Sequence, residues 1–248
     1  MTKILGIHFF EGDEKAIFDK LNLNGGLLTA PSGPGLANIP NDKVYYESLI
    51  NSDIVIPDSG YMVMIWNLIS AKKIKRLSGL KLINTFLDEF SVIVDDNILL
   101  INPSQDEENA NIALLNSKGF KVTKENSYIA PLYSNSITDH QLLHMIETQK
   151  PKWILINIGG GVQEILGSYL KQNLNYKPAI ICTGAAIAFK TGKQVKIPNW
   201  ADQLFLGWLV RILSNPSIYL PRYLASFKLF FLLFKFKEKE FFKTSKSH

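Results

Sequence analysis

Asp58 follows the run Ile54-Val55-Ile56-Pro57, and a carboxylate in that position has two roles open to it. The β-branched run predicts a strand buried on both faces, and Pro57, with no N–H to donate, stops its ladder. Asp58 then stands just past a strand end, on the rim where open α/β sheets bind ligands, and there it can take a proton from a substrate hydroxyl. The other role is N-cap of the helix that starts near Gly60, since Asp is a preferred capping residue. A second chemical feature is Gly159-Gly160-Gly161, which follows the apolar run Trp153 to Ile158 and leads into a helix containing Ile165, Leu166, Tyr169 and Leu170. Glycines in such a turn let backbone N–H groups approach a diphosphate at a helix N-terminus. The spacing is not the dinucleotide fingerprint and lacks the Lys-Ser/Thr ending of a P-loop, so neither a nicotinamide cofactor nor a nucleotide hydrolase follows. His140 and His144 share a helix face at metal-ligand spacing, but without a third ligand they read as a solvated or structural pair. Cys182, the lone cysteine, lies in an apolar run and excludes both a disulfide framework and a thiol metal site.

The elements that must position these residues are those of an α/β domain. A chain of 248 residues, 46% hydrophobic and 20% charged, suffices for one such domain or for a domain with an appendage. Lys3 to Phe9 predicts a first strand, Asp13 to Leu21 a helix, and Gly25 to Thr29 a second strand. Ala30-Pro31-Ser32-Gly33-Pro34-Gly35 reads as a shaped loop that starts no regular helix, either a substrate-holding loop or a plain turn. Helices are expected over Asp42 to Asn51 and Tyr61 to Ser70. The basic run Lys72-Lys73-Ile74-Lys75-Arg76 reads as a solvated face, or as a source of one cation for phosphate. Ser91 to Val94 and Asn97 to Ile101 predict two short strands or a hairpin. Asn102-Pro103-Ser104 opens an acidic helix, Gln105 to Ser117, stopped by Gly119, and Phe120-Lys121-Val122 resumes a strand, which makes a βαβ unit. A helix from Asp139 to Gln149, the strand and glycine turn above, and a strand from Pro178 to Thr183 complete the pattern. The expected fold is α/β, a Rossmann-like sheet flanked by helices over residues 1–198, with a C-terminal helical membrane-associating appendage over 199–248.

Position says more about the charge than its total. Of the formal net charge of +5, all falls between Arg222 and His248, which hold seven Lys/Arg and two Glu, so residues 1–221 balance. A nucleic-acid binder spreads its cations over a folded surface, so this distribution speaks against nucleic acid. The same segment holds seven of the fifteen phenylalanines. As one helix it would gather Lys228, Lys235, Lys239, Lys243 and Lys246 within a narrow arc. Its apolar run Leu229 to Phe234 falls short of the roughly twenty residues a bilayer span needs, so residues 225–248 are expected to lie in the interface of an anionic membrane surface. The alternative is a helix packed on its own domain or on a second subunit of a homo-oligomer. The N-terminus turns acidic too soon for a secretory signal, which predicts a cytoplasmic protein, peripheral on the inner face of the cell membrane.

Several spaced motifs resemble those of the WecG/TagA/CpsF family of bacterial glycosyltransferases, the N-acetylmannosaminyltransferase-like enzymes of teichoic-acid and surface-polysaccharide assembly. Ala30-Pro31-Ser32 resembles a Thr-Pro-Asn loop, Pro57-Asp58-Ser59-Gly60 a Pro-Asp-Gly motif, and Arg76-Leu77-Ser78-Gly79 an Arg-x-x-Gly element. Gly159-Gly160-Gly161-Val162-Gln163-Glu164 resembles Gly-x-Pro-x-Gln-Glu, and Gly192 through Pro198 resembles Gly-x-x-x-Arg-Ala-Pro. Trp208 to Leu213, Pro216 and Arg222-Tyr223-Leu224 resemble the ending Trp-x-x-Arg-Leu-x-x-x-Pro with its Arg-Tyr-Leu. The resemblance implies inverting, metal-independent transfer of a sugar from a UDP-sugar donor to a polyprenyl diphosphate-linked saccharide acceptor, for exopolysaccharide, capsule or teichoic acid, with no cofactor. It places the catalytic base on Asp58 and substrate contacts on Ala30, Ser32, Ser59, Arg76, Gly159, Gly160, Gly161, Gln163, Glu164, Arg211 and Arg222. The chain has no Asp-x-Asp metal motif. It departs from the family pattern at Ala30, Ser32, Ser59, Lys81, Ile187-Ala188, Lys196 and Gly207. The alternative function is a non-catalytic scaffold or binding member of a polysaccharide assembly complex.

Overall fold

Every side chain of Ile54-Val55, Trp153 to Ile156 and Ala179 to Cys182 is buried, as strands covered on both faces require. The computed structural model describes residues 1–89, 98–134, 136–190, 192, 198, 201 and 206–242. Its strands are β1 Thr2–Ile4, β2 Ile7–Phe9, β3 Gly26–Thr29, β4 Ile54–Val55, β5 Ile98–Asn102, β6 Ser127–Ile129, β7 Trp153–Ile156 and β8 Ala179–Cys182. They form one sheet in the order β1-β2-β4-β3-β8-β7-β5-β6, parallel throughout except for the β1–β2 pair. The helices are α1 Glu14–Asn24, α2 Gly33–Asn38, α3 Lys43–Ile50, α4 Gly60–Ile69, α5 Gly79–Glu89, α6 Gln105–Ser117, α7 His140–Gln149, α8 Val162–Asn173, α9 Ala185–Lys190, α10 Gly207–Ser214, α11 Pro216–Ser226 and α12 Lys228–Phe236.

The strands divide their side chains between two cores, since successive residues of a strand point to opposite faces. Leu27, Val55, Leu99, Ile154 and Ile180 face a first cluster built with α2, α3, α4, α7, α8 and α12. Leu28, Ile54, Leu100, Leu155 and Ile181 face a second, built with α1, α5, α6 and α9. In the second, the Phe86 ring lies 5.6 Å from Phe18, 5.5 Å from Phe120 and 5.7 Å from Trp153. Helices on both faces of a mainly parallel sheet make this the expected α/β, Rossmann-like architecture. Because α4 belongs to the first face and α5 to the second, residues 70–78 carry the chain across.

Several local expectations are corrected. Lys3 to Phe9 is a hairpin rather than one strand, because Leu5 and Gly6 take positive φ of 51° and 81°, the turn that two-residue hairpins need. The 30–35 stretch does start a helix: Ser32 caps α2 by accepting from the Gly35 N–H at 3.2 Å, and a proline is tolerated in the first turn. Phe120 to Val122 is not a strand, because the Asn116 amide takes the Val122 N–H at 2.8 Å and its C=O at 2.9 Å, the groups a neighbouring strand would have used. The second strand of that βαβ unit is β6. Helix α5 has no counterpart among the expectations, although Leu82, Ile83, Phe86 and Leu87 repeat at helical spacing. The segment 91–94 lies outside the described residues.

The C-terminal helices are layered on the domain. Helix α11 packs on α2, and α12 packs on α2 and α4 with Leu229 and Leu233 fully buried. The lysine arc does not form as one helix, because α12 ends at Phe236 and Lys237 turns the chain with φ 51°. Lys243 and Lys246 lie outside the described residues. Past that turn the Leu5 N–H donates to the Lys237 C=O, the Phe241 N–H donates to the Tyr46 hydroxyl at 3.1 Å, and the Phe242 ring packs 5.5 Å from Tyr46. Pro216–Phe236, 21 residues, is by length and composition long and apolar enough to cross a membrane. Its outer side exposes Leu213 nearby, then Ile218, Leu224, Phe231 and Phe234, each by more than half.

Candidate active site

The parallel strands end along one edge, and the residues that can do chemistry gather there. After β4, Ser59 rather than Asp58 caps α4, its Oγ accepting from the Met62 N–H at 3.2 Å. Asp58 is thereby directed elsewhere. Its Oδ1 accepts from the Gly79 N–H at 2.9 Å, at the positive end of α5, and lies 3.6 Å from an Arg76 Nη. Arg76 also donates through Nε to the Asp58 C=O at 2.8 Å. The crossing segment 70–78 therefore does more than change face, because it delivers the guanidinium and the helix start that hold the carboxylate. The Asp58 side chain stays 30% exposed. A Cβ placed on Gly79 would lie 3.7 Å from Asp58 Cγ and 3.8 Å from Ala30 Cβ, and one on Gly33 would lie 3.1 Å from Ser59 Oγ. Ala30, Ser59, Arg76 and Gly79 are thus brought together around Asp58, while Ser32 is exposed at the start of α2.

Three strand spacings, about 14 Å, separate β4 from β7 along the sheet, so the glycine turn shares the edge with Asp58 without touching it. A Cβ added at Gly159, Gly160 or Gly161 would meet nothing within 4 Å, so the turn opens onto free space. Gly161 has φ 96°, which a side chain would strain. Beneath the turn the Glu164 carboxylate, 1% exposed, accepts from the Gly161 N–H at 2.7 Å and from Gln163 Nε2 at 3.0 Å. Gln163, 4% exposed, accepts in turn from the Gly184 N–H at 2.7 Å. The Gln-Glu pair ties the β7 turn to the β8 turn and lies under the open surface rather than on it. Burial pushes the Glu164 carboxyl up against the opposing pull of its hydrogen bonds. Burial, with the Glu164 charge second, also pushes the Cys182 thiol well up, which leaves it inert.

A buried polar belt beside this pair escapes the sequence expectations. Asn102 Oδ1 accepts from Asn111 Nδ2 at 2.7 Å and from Asn157 Nδ2 at 3.0 Å, and its Nδ2 donates to Ser127 Oγ at 3.0 Å. Thr183 Oγ1 reaches Asn157 Oδ1 at 2.6 Å. The belt links the C-terminal ends of β5, β7 and β8 with the first residue of β6, just below the glycine turn. Its signal in the sequence is an asparagine directly after an apolar strand run, at both Asn102 and Asn157.

The other cations are distributed differently. Lys72 pairs with Glu11 at 3.4 Å, and Lys73 donates to backbone carbonyls of α4 and its end, so the basic run is largely consumed in place. Arg211 is half-buried and donates to the Tyr223 hydroxyl at 3.3 Å, whereas Arg222 is exposed on α11. The Phe227 ring, between α11 and α12, lies 5.9 Å from Tyr61, three residues beyond Asp58. The C-terminal layer thus borders the site through α2 and α4. Lys196 and most of the Gly192 to Pro198 motif lie outside the described residues.

A comparison with curated proteins finds no match. A family model described as the glycosyl transferase WecG/TagA/CpsF family matches residues 2–243. That span takes in the sheet, the Asp58 rim, the glycine turn and the C-terminal layer, and the chain belongs to this glycosyltransferase family.

Proposed function

We propose that the protein transfers a sugar, with inversion and without a metal, from a UDP-sugar to a polyprenyl diphosphate-linked saccharide at the inner face of the cell membrane, for a surface polysaccharide. The observation that carries this reading is Asp58: a partly exposed carboxylate at a strand end, oriented by Arg76 and the start of α5, with the open glycine turn along the same edge. In the reaction an acceptor hydroxyl oxygen attacks the anomeric carbon from the side opposite the UDP. The new C–O bond forms as the bond to the diphosphate oxygen breaks, UDP leaves with the electron pair, and the hydroxyl proton passes to Asp58. At the start of α8 the Gly161 N–H is taken by Glu164 and the Gln163 N–H by the Gly159 C=O, so the departing diphosphate is assigned to the remaining N–H groups of the open glycine turn and to the positive end of the helix. Arg211 and Arg222 are assigned to phosphate on donor or acceptor, where a guanidinium offers paired donors.

The exposed apolar side of α11 and α12 supports a peripheral seat on the bilayer. The buried Leu229 and Leu233 oppose a spanning role, since crossing would pull both out of the core.

The test is transfer from a panel of UDP-sugars to a lipid diphosphate acceptor. Wild type should transfer, and Asp58→Asn should lose on the order of 10²- to 10⁴-fold in kcat with UDP binding retained. Turnover by the variant at the wild-type rate would remove the base from Asp58. No transfer by wild type across the panel would favour the scaffold.

A further inference from the structure

Two adjoining hollows flank α12 and the turn after it. One, of about 650 Å³, lies between the end of α4 and that turn, walled by Trp66, Phe234, Phe236, Lys235, Lys237 and Lys239. Glu238 is the carboxylate in its lining, so three lysines against one glutamate leave a net of two positive charges. The other, of about 500 Å³, is lined by Phe230, Phe231, Phe234 and Lys235. Phe234 and Lys235 belong to both, so the basic chamber and the phenyl-lined one adjoin across these two side chains.

The local chain explains the arrangement. Lys237 ends α12 with φ 51°, and the Lys239 N–H donates back to the Phe236 C=O at 2.8 Å, a tight reversal that gathers three lysines around one opening. Among the described residues none of the three is ion-paired, and the Lys235 ammonium lies 5.4 Å from the centre of the Phe236 ring. Beside them Phe231 and Phe234 are 71% and 63% exposed. An excess of cations over carboxylates next to bare phenyl rings matches an amphiphile with an anionic head and a hydrocarbon tail.

We propose that the adjoining hollows together seat one anionic phospholipid of the bilayer, its phosphate among Lys235, Lys237 and Lys239 and an acyl chain along Phe230, Phe231 and Phe234. The inference rests on the membrane part of the proposed function and is independent of the transfer reaction. It is a site apart from that of the acceptor. Helix α4 climbs about 15 Å from its cap beside Asp58 to the end that borders the basic chamber. The diphosphate of an acceptor, by contrast, is joined to the sugar whose hydroxyl Asp58 must reach.

The test is co-sedimentation of the full chain with vesicles of phosphatidylcholine alone and of phosphatidylcholine mixed with phosphatidylglycerol. The variants are K235Q/K237N/K239Q, with asparagine suited to the positive φ at 237, and the control R222Q/K228Q, two cations outside the hollow. Wild type should prefer the phosphatidylglycerol vesicles, and the triple variant should lose on the order of a hundredfold of that binding. The control should lose far less, and the triple variant should transfer sugar to a detergent-solubilised acceptor at the wild-type rate. Retained preference in the triple variant, or an equal loss in the control, would overturn the lipid seat. So would displacement of wild type by inorganic phosphate, which would mark a free-anion site, or lost transfer, which would assign the lysines to the acceptor. Indifference of wild type to both vesicles would overturn the seat and the membrane reading together, leaving the transfer assay to judge the enzyme.

Discussion

Ser59 stands where the family pattern has glycine, and its hydroxyl takes up the capping of α4. The two roles open to Asp58 are thereby divided between neighbours, with the cap on Ser59 and the carboxylate turned to Gly79 and Arg76. Nothing in the order of the letters separates a capping Asp from one that reaches another helix, because the partner, Gly79, arrives from twenty-one residues away. Glu164 shows the same limit. Its place in a Gln-Glu pair is legible, but its burial beneath the turn is set by packing. Burial raises its carboxyl above the ordinary 4.5, so the folded protein holds a proton that the unfolded chain releases. That contribution to stability is complete below the unfolded value and is lost as pH rises through the folded one. Glu164→Gln cannot ionise, so the stability of wild type relative to this variant should fall as pH is raised above about 4.5. Urea unfolding of both proteins over a pH series measures the difference, and a flat difference would show that the carboxyl ionises in the fold at no cost.

Strands and helices were legible in proportion to how far their own residues decide them. The buried runs of β7 and β8 and the acidic start of α6 declare themselves, because burial on both faces and the helix dipole act within the element. Val122 lies outside any strand because a side chain of α6, Asn116, supplies the pairing that its apolar neighbours only suggest. The polar belt is the same effect on a larger scale, since four strands are tied at one edge by side chains far apart in sequence. Asn102 is its hub and has no exposure. In Asn102→Ala, Asn111, Asn157 and Ser127 each lose a buried partner, and an unsatisfied buried group costs about 1–3 kcal/mol. The expected loss is about 3 kcal/mol in urea unfolding, allowing for partial relaxation. A loss under about 0.5 kcal/mol, the range of ordinary surface changes, would mean that water replaces the hub.

For the whole molecule, the question is whether a basic aromatic tail that belongs to the fold can also serve the proposed membrane seat. Helix α12 has one buried side and one exposed side. Leu229 and Leu233 are fully buried against the first core, and the chain beyond returns to pack on Tyr46 and the β1–β2 turn, where a Cβ on Gly6 would lie 2.3 Å from the Tyr46 hydroxyl. Removing the tail would therefore strip a wall from the domain, and truncation cannot isolate a membrane role. Two residues of the same helix can. Leu233→Ala should lower stability by about 2–5 kcal/mol through the cavity it leaves. It should keep vesicle binding wherever the protein remains folded, because no exposed surface is lost. Phe231→Ser, at 71% exposure, should leave stability within about 0.5 kcal/mol and weaken co-sedimentation with anionic vesicles. Urea unfolding and sedimentation run on both variants separate the two faces. If Phe231→Ser unfolds the protein, or leaves vesicle binding untouched, the outer side of α12 is not the membrane surface, and its exposed phenyl rings would have to be covered by a second copy of the chain.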